Sequence, residues 1–377
     1  MTAQKPFTIL YVLRSLDTGG AERQIIIQAR GLAARGHHVT IATFYDGGGL
    51  KSFATDSGLN LLQIRKAGRW SVVRFLWNLV RAIRHVNPDV VHGVLVVPNI
   101  LLAVLKPFLG GARVVWGVRA SNMDMSRANW LERLTFHLSR PLAHAADLII
   151  ANSSAGREYH VGMGYPTRQM RVILNGIDTS QFAPDLEKGA VVRAQFGLTK
   201  DQFVVGIAAR LDPMKGLEVA LHALALLSAT YPHIRLVIVG DGPVDYRQRL
   251  QRLSRELGVE DVVVWSPRRD DMPAVFNAFD ALCSPSIFGE GFSNSIGEAM
   301  ACGIPCVVTD IGDAAYIVDG TGSVVPGNNP GSLAAAILSM AASHLSKAKA
   351  ARDRIIDIAS IDQLVTHTEL ALREVMR

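Results

Sequence analysis

Two glutamates and two cations are the residues of this sequence best placed to do chemistry. Glu290 and Glu298 stand eight residues apart in Phe288-Gly-Glu-Gly-Phe-Ser-Asn-Ser-Ile-Gly-Glu-Ala-Met-Ala-Cys-Gly303. Gly289 and Gly291 loosen the loop, Ser293 or Asn294 is a fitting N-cap, and Gly303 is a fitting helix stop. The free N–H groups and positive dipole end of that helix attract an anion. Glu298 lies about one turn inside it, roughly 6 Å along the axis. Upstream, Arg210 and Lys215 stand in Gly206-Ile-Ala-Ala-Arg-Leu-Asp-Pro-Met-Lys-Gly216. Arginine offers a planar fork to phosphate oxygens and lysine a mobile point charge. The blander reading is a helix with two solvated acids and a loop with two surface cations.

These residues need strands and helices behind them. Residues 280–285 and 304–309 read as strands on either side of the glutamate loop, and 203–209 as the strand that delivers Arg210. Apolar runs at 7–13, 38–44, 60–64, 89–94, 113–118, 147–150 and 170–174 read as strands with helical patterns between most of them. Turn residues break this alternation at Asn175–Pro184, and it restarts through 234–239 and 262–265. The pattern predicts an α/β protein of two doubly wound, Rossmann-like domains, 1–180 and 181–360. Helices are expected near 271–279 and 330–343, with a last helix at 361–376.

The Glu-x7-Glu spacing followed by Ala-Met-Ala-Cys-Gly resembles the nucleotide-sugar signature of retaining glycosyltransferases of family four, which have the GT-B fold. Asn175-Gly-Ile-Asp with Phe182 is similar to that family's segment between domains. The resemblance implies two domains facing across a cleft, with helix 361–376 crossing back to the first. It implies that Glu298 holds the ribose hydroxyls and that Glu290 contacts the transferred sugar, with Gly291, Phe292, Ser293, Asn294 and Ser295 lining the donor site. Arg210 and Lys215 take the departing diphosphate, whose charge must be stabilised in the transition state. Gly19 and Gly20 in Asp17-Thr-Gly-Gly20 sit beside the same diphosphate, although paired glycines are also common in plain turns. The loop 265–271 corresponds to the one that, in the resembled family, cradles the nucleobase largely through its backbone. Arg268 is a candidate there, and a charged helix start capped by Asp270 or Asp271 is the competing reading.

Arg119 occupies a place where many relatives carry histidine. Arginine cannot shuttle protons at neutral pH, so the residue is a candidate for binding an acceptor or a phosphate. His92 ends the preceding strand and is either such a contact or a structural histidine. Gly240-x-Gly242 is half of a dinucleotide fingerprint, with Asp245 where the third glycine belongs, which argues against a dehydrogenase. No Asp-x-Asp triplet occurs, and neither a metal nor a cofactor is expected.

The chain has 377 residues, enough for two ordinary domains, and is 49% hydrophobic and 19% charged. Its Cys283, Cys302 and Cys306 form no Cys-x-x-Cys pair and suit a reducing compartment. The first residues lack the apolar core of an export signal, so a cytoplasmic location is expected. Residues 1–178 carry 21 Lys and Arg against 10 Asp and Glu, and the remainder 18 against 23. A first half at +11 points to an anionic partner. Segment 69–84 and the region 127–140 mix arginine with tryptophan and aliphatic residues. Each also reads as an ordinary domain helix, but together they predict contact with an anionic membrane surface. No nucleic-acid motif is present. The expected reaction moves a sugar from a nucleoside-diphosphate sugar, a UDP-sugar, to a saccharide or lipid-linked saccharide in envelope or exopolysaccharide assembly. The family resemblance implies retention of configuration, and the basic first half implies the inner face of the cytoplasmic membrane. The alternative is a sugar-nucleotide epimerase of the same fold.

Overall fold

A computed structural model describes residues 5–17, 19–64, 72–119 and 130–377. The chain divides into two compact units, Met1–Gly176 with Ile361–Arg377, and Ile177–Ser360.

The first unit runs β1 (Thr8–Leu13), α1 (Gly20–Ala34), β2 (His38–Thr43), α2 (Lys51–Asp56), β3 (Asn60–Gln63), α3 (Val72–Val86), β4 (Val90–Val94), α4 (Val96–Leu105), β5 (Arg113–Val118), α5 (Trp130–Ala143), β6 (Leu148–Ala151), α6 (Ser154–Gly162) and β7 (Met170–Val172). All strand pairs are parallel, in the order β3-β2-β1-β4-β5-β6-β7. Crossover helices cover a parallel sheet on both faces, so its central strands are nearly continuous apolar runs. β1 is buried over Ile9–Leu13, and β4 along its whole length.

The second unit runs α7 (Leu186–Gln195), β8 (Phe203–Ala208), α8 (Leu217–Ser228), β9 (Ile234–Val239), α9 (Val244–Glu256), β10 (Val263–Ser266), α10 (Met272–Phe276), β11 (Ala281–Ser284), α11 (Asn294–Ala301), β12 (Cys306–Thr309), α12 (Ala314–Val318), β13 (Ser323–Val325) and α13 (Pro330–Ala359). Its sheet is also parallel, in the order β10-β9-β8-β11-β12-β13. The final helix, α14 (Ile361–Met376), belongs to the first unit and packs on α1. There Gln28 Nε2 donates to Thr368 Oγ1 at 2.6 Å, and Arg35 pairs with Asp362 and Glu369.

Both sheets reverse their strand order once, between β1 and β4 and between β8 and β11. Open α/β sheets bind ligands at such a reversal, outside the carboxyl ends of the strands. Arg210 and Lys215 come directly after β8, and Glu290 after β11.

Several elements depart from the sequence reading. α13 runs 30 residues rather than stopping near 343, because alanine, lysine and arginine sustain the helix past Met340 until Ala351, Ile355 and Ala359 resume its buried face. α7 falls in what reads as the end of a linker, where the Asp185 side chain caps it by accepting from the Lys188 amide at 3.0 Å. α10 ends at Phe276, short of 279. Residues 69–71 and 127–129 of the two basic segments lie outside the described residues. The described parts of those segments are α3, which buries Phe75, Leu79 and Ile83 on one face, and α5, which begins at Trp130. Among the described residues no helix is long and apolar enough to cross a membrane.

Candidate active site

The loop after β8 is built around Asp212. Its Oδ1 accepts from the Met214 amide at 3.0 Å and starts a single 3-10 turn, Pro213–Lys215, with proline at the favoured first position. Its Oδ2 takes the Arg210 guanidinium at 3.0 Å, while most of the Arg210 side chain stays in solvent. Gly216 then turns the chain into α8 with φ +63°, a left-handed conformation that suits glycine. A Cβ at Gly216 would stand 2.0 Å from the Pro285 carbonyl oxygen, so this glycine lets the post-β8 and post-β11 loops close on each other. The Ile287 amide, donating to the Met214 carbonyl at 2.8 Å, ties the same two loops.

That closure brings Lys215 to Glu290. Lys215 Nζ donates to Glu290 Oε1, and Ser286 Oγ donates to the same oxygen at 2.7 Å. Their side chains are 21% and 12% exposed, so the pair is largely shielded and held more firmly than a surface ion pair. Ser286 is itself fixed by Thr309 Oγ1, which donates to the Ser286 carbonyl at 2.5 Å. Gly289 (φ +77°) and Gly312 (φ +63°) shape the loop, and a Cβ on Gly312 would meet the Glu290 carbonyl oxygen at 2.5 Å.

α11 buries Ile296, Gly297, Ala299, Met300 and Ala301, which leaves Asn294, Ser295 and Glu298 half-buried along one face. Their i, i+1, i+4 spacing puts them on a common stripe running back to the helix N-terminus. Ser293 is the N-cap residue without a side-chain cap bond, its Oγ lying 3.2 Å from Ser295 Oγ instead. Gly291 and Phe292 are buried just before it. A Cβ on Gly297 would meet Ile177 Cγ1 at 2.8 Å, so glycine there lets the helix lie close against its support. Burial, and then the Glu298 charge, push the Cys302 thiol up to about 12, so it is inert as a nucleophile at neutral pH. Arg268 lies apart, half in solvent and paired with Asp270 at 3.3 Å.

The remaining sequence candidates lie in the first unit. Gly19 is the N-cap of α1 and Gly20 its first residue. His92 is 1% exposed on β4, its ring 5.1 Å from that of Tyr11, with no hydrogen-bond partner on either nitrogen among the described residues. Burial, and then the Arg119 charge, hold its pKa down at about 3, so it is neutral at physiological pH. The structure thus gives His92 neither a hydrogen bond nor a charge. Arg119, half-buried after β5, donates from Nη1 to Asn175 Oδ1 at 2.7 Å. Burial lowers its pKa to about 10 while Tyr11 and Glu22 favour its charged form, so it stays cationic. Among the described residues no group of three or more His, Cys, Asp or Glu could hold a metal ion.

Sequence reasoning passed over Asp212 and Ser286, the residues that position Arg210 and Glu290. Asp212-Pro213 is a legible helix-start signal, but nothing local marks Ser286.

Residues 18–181 match the family model described as Glycosyltransferase Family 4, and residues 202–343 that described as Glycosyl transferases group 1. The chain is 32% identical over 208 residues to a GDP-mannose-dependent alpha-(1-6)-phosphatidylinositol monomannoside mannosyltransferase of Mycolicibacterium smegmatis, covering 52% of this chain and 54% of that protein. It is 33% identical over 198 residues to a D-inositol 3-phosphate glycosyltransferase of Streptomyces bingchenggensis, covering 49% and 43%. The chain therefore spans about half the length of these curated relatives. Among solved structures, Anabaena HepE in complex with UDP matches with a TM-score of 0.86 at 23% identity, over 97% of this chain and 100% of its own. HepE in complex with UDP-glucose matches at 0.85, over 98% and 100%. At such identity the likeness is one of fold, and the fold is GT-B.

Proposed function

The chain belongs to glycosyltransferase family four, and from that premise we propose that it moves a sugar from a UDP-sugar to an acceptor hydroxyl with retention of configuration. The observation that carries the reading is the Lys215–Glu290 pair, held by Ser286 at the switch point of the second sheet, beside the N-terminus of α11. Lys215, Arg210 and the α11 amides supply positive charge where a departing diphosphate would gather negative charge. Glu298 accepts hydrogen bonds from the ribose. Glu290 meets the transferred sugar and keeps Lys215 in place. The leaving phosphate oxygen takes the proton of the incoming hydroxyl on the same face of the sugar, so the anomeric configuration is kept.

The relatives' names divide on the base, GDP-mannose for the Mycolicibacterium enzyme and UDP for HepE. UDP is the nucleotide proposed, as in the HepE complexes, and GDP the alternative, as in the mannosyltransferase. The proposed acceptor is a lipid-linked saccharide of envelope or exopolysaccharide assembly, met at the cytoplasmic membrane face. Two solvent faces of the first unit support it. α3 exposes Val73 and Trp77, with Arg81 5.3 Å from the Trp77 ring, and α5 exposes Trp130, Leu134 and Leu138 at helical spacing.

Thermal unfolding with UDP-glucose, UDP-galactose and GDP-mannose, with transfer assays on the protecting donor, tests this. Protection by GDP-mannose alone would replace the base. Free epimer formed from donor without acceptor would replace the reading with an epimerase.

A further inference from the structure

The switch point of the first sheet holds a chamber of about 380 Å³ at the carboxyl ends of β1, β4 and β5. That volume is within the range of small-molecule sites. Leu13, Val94, Val97, Trp116, Val118 and Phe136 line it. Their hydrocarbon leaves few hydrogen-bonding groups for a saccharide ring, whose hydroxyls would lose water without replacement.

Arg14 and Arg119 supply two cations, and Glu22 one carboxylate. Ser139, His160 and Tyr165 also line the chamber but are engaged within the protein. Tyr165 donates to Ser139 Oγ, Ser139 donates to the Phe136 carbonyl, and His160 Nδ1 lies 2.7 Å from the Gly156 carbonyl oxygen. Trp116 is fully buried, and its Nε1–H has no partner among the described residues; Asn99 Oδ1 and Arg119 Nε are in the same condition. Unpaired buried polar atoms call for an explanation, and an absent ligand is one. The rim carries a second anomaly. Leu95 has φ +68° and ψ 176°, a conformation rare and strained for a branched side chain. Its amide donates to the Gly117 carbonyl at 3.1 Å, and Asn99 Nδ2 donates to the same oxygen at 3.1 Å. Those two bonds hold the backbone in the strained form and start α4 at the chamber wall. Strain kept this way gathers at ligand sites.

We propose that this chamber binds the acceptor through a non-sugar part, an apolar chain buried among Leu13, Val97, Trp116 and Phe136 with its phosphate on Arg119. The inference rests on the reading of the chain as a glycosyltransferase, and it assigns the acceptor's class as an amphiphilic phosphate rather than a free saccharide. Arg119 has the chemistry for it: one guanidinium arm is anchored on Asn175, and the group stays charged at neutral pH. The excess of two cations over one carboxylate around the chamber favours an anionic head.

The test uses the full chain and calorimetry with four probes: octyl phosphate below its micellar concentration, octanol, inorganic phosphate and methyl glucoside. Octyl phosphate should bind at least about tenfold more tightly than inorganic phosphate or methyl glucoside. Arg119→Gln should weaken octyl phosphate by about tenfold and leave octanol unchanged. Val97→Trp, at a position 41% exposed and so tolerant of the larger ring, should weaken both octyl ligands. Equal binding of octyl phosphate and inorganic phosphate, or octyl binding untouched in Val97→Trp, would overturn the inference. UDP titrated in parallel reports on the second unit. Loss of UDP binding with octyl phosphate retained would strike the glycosyltransferase reading, and the reverse would strike the chamber alone.

Discussion

Replacing Glu290 and Glu298 by alanine, one at a time, separates donor binding from donor reaction. Glu298 stands on α11 one turn behind the N-terminus, where the proposed partner is the ribose, a group present in UDP and UDP-sugar alike. A hydrogen bond to a charged group contributes roughly 1.5–3 kcal/mol. Glu298→Ala should therefore raise the Kd of both ligands roughly 10- to 150-fold. Glu290 is different because its carboxylate is already engaged by Lys215 and Ser286. Removing it leaves Lys215 without that counter-charge. The cost to folding should fall between the ~0–1 kcal/mol of a surface pair and the ~3–5 kcal/mol of a buried one. The freed Lys215 can still meet a diphosphate, so UDP affinity should move less than about threefold. Transfer should fall about 100- to 1000-fold, as when a contact made in the transition state is lost. Glu290→Gln keeps an acceptor for Ser286 without the charge and should recover stability more than activity. Calorimetry with UDP, beside kcat/KM for transfer on each variant, reads both quantities. If Glu290→Ala weakens UDP as much as Glu298→Ala does, the division of roles is wrong.

Transfer should survive excess EDTA, since no Asp-x-Asp occurs and Arg210 with Lys215 supplies the charge; abolition reversed by Mn²⁺ or Mg²⁺ would refute this. Sedimentation with vesicles should show binding to anionic lipid that weakens with salt, as screening shortens to about 3 Å at 1 M; equal affinity for neutral vesicles would remove the membrane proposal. His92 is held neutral by burial, with a folded pKa of about 3 against an ordinary value of 6.5, so the unfolded chain binds more protons in that window. Unfolding free energy should then fall as pH drops below 6.5, by at most ~1.4 kcal/mol per unit from this residue. His92→Gln should flatten the slope in urea titrations without abolishing it, because His37 and His160 are lowered the same way. Gly216→Ala should cost more than Gly258→Ala in the same titration. Both have positive φ, near +63° and +67°, but only Gly216 faces a carbonyl at 2.0 Å, whereas Gly258 faces open space. Equal losses would show that left-handed strain alone, ~1–2 kcal/mol, decides both.

The sequence by itself determined the chemistry on offer and the order of the elements. Strand runs such as Phe203–Ala208 and Ile234–Val239 are legible because a sheet covered on both faces demands continuous apolar residues. The helix behind Glu290 is legible from Ser293 and Gly303, which act over a few residues. The length of α13 was not, because the buried stripe is interrupted between Met340 and Ala351, and only tertiary packing shows that Ala351, Ile355 and Ala359 continue the same helix. Contacts across the chain were beyond local pattern altogether. Lys215 meets Glu290 across 75 residues because β8 and β11 are neighbours and Gly216 lets Pro285 approach. Ser286 lacks any local signature, and its role comes only from standing beside Glu290 with its own backbone fixed by Thr309. His92 and Arg119 both read as strand-end residues in sequence, but His92 lies in the middle of β4, between Tyr11 and Val115, and Arg119 just past the end of β5. One is sealed neutral against Tyr11, and the other stays charged with an arm on Asn175. Residue type sets what a side chain can do, but desolvation and the partner across the sheet decide its charge and reach, and both are tertiary quantities.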